Sequence, residues 1–192
     1  MPERNSAALD FLLTRRSRPA KTLIAPAPDR AAIEVILQAG ARTPDHGCLE
    51  PWRFIVLQGA ALQRVADQVE SRANALEKPV EQVEKARNSF ANAPASIVVV
   101  SSPKASEKVP EIEQTLSAGA VCLSVLNGAL ASGWGANWIT GWMAFDRPLL
   151  EMAFNLQANE FVAGFIHLGT ETVIPQERKR PVLDTITSWI DR

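Results

Sequence analysis

The chain has 192 residues and a mean hydropathy of -0.03, with 46% hydrophobic and 21% charged residues, a composition that fits one globular domain over residues 1–192 and excludes a disordered chain. Twenty Lys and Arg stand against twenty-one Asp and Glu, so no global field selects nucleic acid or an anionic membrane. Any anion site must be local.

Continuous apolar runs fall well short of the ~20 residues a bilayer span needs, and the N-terminus opens on Met-Pro-Glu-Arg-Asn without the apolar core of a signal peptide. A cytoplasmic location is expected. Cys48 and Cys122 lie far apart without a CxxC, so they are read as reduced thiols instead of a disulfide framework or a zinc knuckle.

In chain order, Ala8, Leu9, Leu12 and Leu13 recur at helical spacing and predict a helix from Asn5 to Arg16 that ends in the basic corner Arg15-Arg16-Ser17-Arg18. A second helix is expected to start with Pro28 at its first position and to close near Gly40. Ala41 to Pro51 reads as a loop, Trp52 to Leu57 as a strand, and Leu62 to Val69 as a third helix. Residues 70–94, polar and broken by Pro79 and Pro94, read as a short helical excursion over the surface, able to act as a lid.

Ile97 to Val100 is a β-branched run without alternation, which fits a strand covered on both faces and calls for a layered α/β core. Ile112 to Ser132 mixes small and large apolar residues around much of its circumference, the pattern of a closely packed helix. Asn137 to Gly141 is expected to be extended, Asp146 with Pro148 to start a helix, and Phe161 to Leu168 to form a strand. Between Pro181 and Arg192, Leu183, Ile186 and Ile190 fit a helix, whereas Thr185, Ile186, Thr187 and Trp189 favour a strand.

Generic catalytic motifs are absent: no G-x-S-x-G elbow, Walker loop or H-E-x-x-H helix occurs. Gly133-Trp134-Gly135 follows a helix instead of bridging strand to helix, and His46 with Cys48 lacks structural zinc spacing. No metal site is therefore assigned. The arginines at 15, 16 and 18 have two readings, complementation of a helix C-terminus or a phosphate clamp in which Ser17 adds a short donor. Arg42-Thr43-Pro44-Asp45-His46 is either a ligand loop or a capped turn. Trp134, Trp138 and Trp142 serve core or interface packing, or wall a planar ligand.

Several segments, in order, carry a resemblance to a known family: Arg15-Arg16-Ser17, the run from Ala39 to His46, Glu50-Pro51-Trp52-Arg53-Phe54, Lys85-Ala86-Arg87 before Ala93-Pro94, Ser117 to Ala120, Trp138 to Gly141, and Gly164 to Thr170. Together they span nearly the whole chain and resemble the nitroreductase family of FMN-dependent NAD(P)H oxidoreductases, in its compact single-domain bacterial form. The resemblance implies an α/β (α+β) three-layer sandwich, with a mixed central sheet flanked by helices, in an intertwined homodimer with FMN at the interface.

Carried onto this sequence, the resemblance has Arg15, Arg16 and Ser17 hold the phosphate and ribityl end, and Arg42 and His46 complete the site from the partner. Trp138, Ile139, Thr140 and Gly141 would lie along the isoalloxazine, and Arg178, with Arg180 close behind, would reach the phosphate. Many members have Gln before the Pro-Trp and Asn two residues earlier, where this chain has Glu50 and Cys48. The activity implied is ping-pong hydride transfer from NAD(P)H through the flavin to a small electron-poor acceptor, a nitroaromatic or quinone. The alternatives on the same scaffold are a flavin-binding or redox-partner module with little turnover, and a specialised flavin dehydrogenase.

Overall fold

The computed structural model describes residues 3–191. Its elements are α1 (Ser6–Thr14), β1 (Leu23–Ile24), α2 (Arg30–Gly40), β2 (Trp52–Gln58), α3 (Ala60–Ala75), α4 (Val80–Ala91), β3 (Ala95–Ser101), α5 (Glu111–Ala131), β4 (Gly135–Ile139), α6 (Arg147–Phe154) and β5 (Phe161–Glu171). The long β5 is the spine of the sheet: β3 pairs with it and carries β2, β4 also pairs with it, and β1 adds to its final residues. Within the described chain every strand pair is antiparallel, whereas the expected sheet was mixed.

Alternation along β3 and β5 divides the core. Ile97, Val99, Ile166 and Leu168 pack with Ile33 and Ile36 of α2 and Val121 and Val125 of α5. Val98, Val100, Val162 and Phe165 pack on the other face with Val65 and Val69 of α3, Phe90 of α4 and Leu149 of α6. All seven residues of β3 are buried, as its unbroken β-branched run requires between two helical layers. The three-layer sandwich follows from the sequence pattern.

Local chemistry moves several expected boundaries. Asp29 caps α2 by accepting from the Ala32 N–H, which leaves Pro28 outside the helix. Residues 70–94 are not a surface excursion: α3 continues to Ala75, and α4 buries Val83, Ala86 and Phe90 against it. The expectation of a lid is thereby corrected, because apolar spacing within a polar composition was enough to dock the helix. By composition and length α5 would suit a bilayer span, yet it packs Ala118, Val121, Cys122, Val125 and Ala129 under the sheet. Its other face is exposed at Ile112, Leu116 and Leu123, so burial covers one side of this helix and not most of its circumference. Beyond Leu183–Thr185, a single turn, the end of the described chain is neither helix nor strand and leaves Ile186, Trp189 and Ile190 exposed.

An ionic clamp ties β2 to the start of β5. Arg53 donates two hydrogen bonds, of 2.8 and 2.7 Å, to the Glu160 carboxylate, which also accepts from the Gln157 N–H. The Arg53 guanidinium holds the Glu160 pKa down at about 2. Arg147 of α6 donates to the Leu156, Gln157 and Glu160 carbonyls, fixing the turn that leads into β5.

His167 lies fully buried in β5, edge-on to Phe90 at 5.5 Å between ring centroids, with neither ring nitrogen bonded to protein. Burial pushes its pKa from 6.5 down to about 4. A neutral imidazole is thus favoured in the folded chain, and this contribution is complete above pH 6.5 and is lost as the pH falls through 4, a total of about 3 kcal/mol. The clamp at Glu160 is lost lower, as the pH falls from 4.5 toward 2. Denaturant unfolding should therefore show stability declining from pH 6.5 to 4, and His167→Phe should flatten that window while leaving the lower one. An unchanged slope in the variant would contradict the assignment.

Candidate functional site

A corner between the end of α1, the end of α5 and the start of β4 gathers the basic residues. Arg15 ends α1, and its backbone N–H donates to the Phe11 carbonyl. The chain then docks on the sheet: the Arg18 N–H donates to the Ala136 carbonyl at 2.8 Å, and the Asn137 amide donates to the Arg18 carbonyl at 2.6 Å. These bonds aim three guanidiniums at one space. A cavity of about 270 Å³ there is lined by Arg15, Arg16, Arg18, Leu130, Trp134 and Glu171, among others.

Each guanidinium has a different partner. Arg18 is ion-paired with Glu171. Arg16 donates to the Gln176 carbonyl at 3.3 and 3.2 Å. Arg15 donates to the Ser17 hydroxyl at 3.0 Å, while its Nε is buried without a partner among the described residues. Burial, reinforced by the positive charges of Arg180, Arg16 and Arg18, pulls the Arg15 pKa below its ordinary value. The macrodipole of a short helix end would not require this much charge of one sign.

The segment after β5 folds back on the same corner. Glu177 pairs with Arg180 and is stabilised in its charged form mainly by the Arg178 backbone N–H, with smaller contributions from Arg180 and Arg16. Arg180 is close enough to depress Arg15, whereas the Arg178 side chain makes no hydrogen bond or ion pair among the described residues. Of the two basic residues considered in the tail, Arg180 is the one coupled to the corner.

β4 leads from this corner to a second cavity. Gly135 borders the first and Ile139 the second, roughly 13 Å apart at the rise of a strand. Trp138 lies across β5, its indole N–H donating to the Ala163 carbonyl at 3.3 Å. Gly164 makes room for the ring, since a Cβ there would sit 2.1 Å from the indole nitrogen. Gly141 holds φ 71° and ψ -175°, a conformation that favours glycine, and it turns the chain at the mouth of the second cavity beside Thr140.

Arg42 and His46 lie elsewhere in the chain. The loop after α2 runs back along α5: the Thr43 hydroxyl meets that of Ser124 at 2.9 Å, Ser117 donates to the Pro44 carbonyl, and His46 Nδ1 lies 2.7 Å from Glu113. Asp45 accepts from the Glu50 N–H at 2.6 Å, across a tight turn in which Gly47, Cys48 and Glu50 all have positive φ. Such φ values cost non-glycine residues about 1–3 kcal/mol each, strain of the kind found in ligand loops. From Glu113 to Leu130, which lines the arginine cavity, α5 advances roughly 25 Å. One chain therefore assembles Arg15, Arg16 and Ser17, places Trp138 to Gly141 along the adjoining strand, and holds His46 at the opposite end of α5.

Several participants carry no motif of their own. Glu113 as the partner of His46 and Glu171 as the counter-ion of Arg18 both arise from contacts distant in sequence. Lys85, Ser89, Trp142 and Met143 line the second cavity, and the packing of α4 on α3 puts Lys85 and Ser89 there.

Residues 12–170 match the Nitroreductase family. The chain is 36% identical over 163 residues to the provisionally named NAD(P)H nitroreductase YdjA of Escherichia coli strain K12, with 85% of this chain and 87% of that protein covered. A nitroreductase-like family protein from Bacillus cereus has a TM-score of 0.81 at 20% identity, covering 100% of this chain and 99% of its own. A provisionally named nitroreductase from Desulfovibrio desulfuricans, solved in complex with FMN, has a TM-score of 0.74 at 21% identity, covering 98% and 99%. The sequence match over most of its length, on the antiparallel sheet and helical layers described above, shows that this chain belongs to the nitroreductase family.

Proposed function

We propose that the chain is an FMN-dependent oxidoreductase, working as a homodimer, that passes hydride from NAD(P)H to a small electron-poor acceptor such as a nitroaromatic or quinone in a ping-pong cycle. The observation that carries this reading is Arg15, a guanidinium with a buried, unpartnered Nε among like charges. An arginine beside a phosphate at ~4 Å gains roughly 4 kcal/mol of gross attraction per unit charge at an effective dielectric of ~20, before desolvation is subtracted. An anion relieves the mutual repulsion of the corner. The FMN bound by the Desulfovibrio desulfuricans protein and the NAD(P)H in the name of the Escherichia coli relative support the same cofactor and donor.

The residues present fit FMN. Arg15, Arg16 and Ser17 would hold its phosphate and ribityl end, with Arg180 nearer than Arg178 to add charge, and Trp138, Ile139, Thr140 and Gly141 would border its ring system. FMN held there would supply two-electron hydride-transfer chemistry between the donor and the acceptor. The chain itself binds and orients: its arginines fix the anionic end, the turn at Gly141 exposes backbone beside Thr140, and the apolar side chains at Ile139 and Met143 exclude water. No side chain is required as acid, base or nucleophile.

The homodimer rests on an unpartnered apolar stripe. Ile112, Leu116, Gly119 and Leu123 recur on one face of α5, with Ile112 62% and Leu116 65% exposed, and a Cβ at Gly119 would meet nothing. α1 buries no residue and exposes Leu9, Leu12 and Leu13. A two-fold crossing of α5 near its midpoint would cover this stripe and bring Arg42 and His46 of one copy toward Arg15 of the other. The exposed Ile186, Trp189 and Ile190 supply further surface for a partner.

Flavin bands in the visible spectrum of the purified protein, bleached on anaerobic addition of NADH or NADPH, are the expected result; a bound flavin that resists both donors would favour a module without turnover. Arg15→Ala should weaken FMN retention by roughly tenfold to a hundredfold, the loss of a charge-assisted bond, with little change in unfolding. Retention equal to the parent would displace the clamp. Leu116→Glu, which puts charge into the stripe, should yield monomers in analytical ultracentrifugation and release flavin together; a monomer that keeps its flavin would refute the shared site.

A further inference from the structure

We propose that Lys85 makes the second cavity selective for aromatic acceptors that carry an anionic group, an inference that rests on the oxidoreductase reading and names the substrate class of its site. The cavity, about 450 Å³, is walled by Ile139, Trp142 and Met143 from the end of β4 and by Ala86, Ser89 and Lys85 from α4. Apolar side chains, an indole and a thioether suit a flat aromatic ring. Among the described residues Lys85 is its sole charged lining residue.

The charge of Lys85 is left available. No carboxylate stands within ion-pair distance of it among the described residues, although Glu81 and Glu84 share its helix and are exposed. The other ammonium near the cavity, Lys78, sits 4.9 Å from the centre of the Trp142 ring. Asp146, the nearby acid that feels Lys78, is already engaged by two hydrogen bonds from Arg72. The mouth is therefore cationic and its floor apolar. A benzoate-like acceptor satisfies both, with its ring on the floor and its carboxylate at the ammonium, whereas a neutral acceptor of the same shape satisfies only the first.

The test compares 4-nitrobenzoate with 4-nitrobenzamide as acceptors at saturating donor and low ionic strength. The expected ratio of kcat/KM favours the carboxylate by about fivefold, the scale of a solvent-exposed ion pair, and shrinks with added salt. Lys85→Gln should bring the ratio close to one and Lys85→Arg should keep it. Calorimetric titration with benzoate and benzamide, which accept no electrons here, should show the same preference in binding and the same response to both variants. A ratio near one in the parent, or a ratio unaffected by Lys85→Gln, would overturn the proposal, as would flavin release by Lys85→Gln with the ratio intact. Absence of bound flavin and of turnover with either acceptor would instead count against the oxidoreductase reading, and the calorimetric comparison then decides Lys85 by itself.

Discussion

The docking of Arg18 on β4 gathers three arginines at one corner of the molecule. Arg18 is docked on β4 through its main-chain N–H and carbonyl, and Arg15 and Arg16 enter the same corner from the end of α1 without a carboxylate paired to each. Glu171 answers Arg18, and a main-chain carbonyl answers Arg16, which leaves Arg15 partly buried with its charge unanswered. The strand that fixes this corner is also the strand that leads to the apolar cavity. The arginine corner and the apolar cavity are thus in register because one short strand, β4, borders both.

The spine of the sheet makes that register rigid. β5 pairs with β4 from Gly169 to Phe165 and with β3 along its opposite edge, so the corner cannot shift relative to the cavity without breaking the central ladder. Gly164 contributes by letting the Trp138 ring lie against β5. Buried Phe90, Phe165 and His167 pack edge to face beneath, and a well-packed interior of this kind resists deformation.

Much of this was legible in the sequence because it rests on local signals. The β-branched run at Ile97–Val100 announced a doubly covered strand, Asp146 announced the start of α6, and Arg15-Arg16-Ser17 announced a basic corner at the end of α1. The start of α2 was misjudged because Pro28 and Asp29 both suit a helix entrance and the side-chain cap prevailed. The docking of α4 was missed because three well-spaced apolar residues outweighed a polar composition. Partners distant in the chain, Glu113 for His46 and Glu171 for Arg18, left no local trace. The exposed stripe on α5 carries no separate sequence signal, because hydropathy alone does not distinguish a core face from an exposed apolar one.

The proposed flavin site draws Arg15 from one chain and Arg42 with His46 from another. Subunit complementation tests it most directly. Arg15→Ala and the double variant Arg42→Ala/His46→Ala are each purified, stripped of flavin, mixed in equal amounts under conditions of subunit exchange, and titrated with FMN. Random exchange makes half the dimers mixed, each with one intact site, so the account predicts tight FMN binding at about a quarter of all sites where neither variant alone binds tightly. No recovery in a mixture shown to contain mixed dimers would contradict it and confine these residues to sites within single chains.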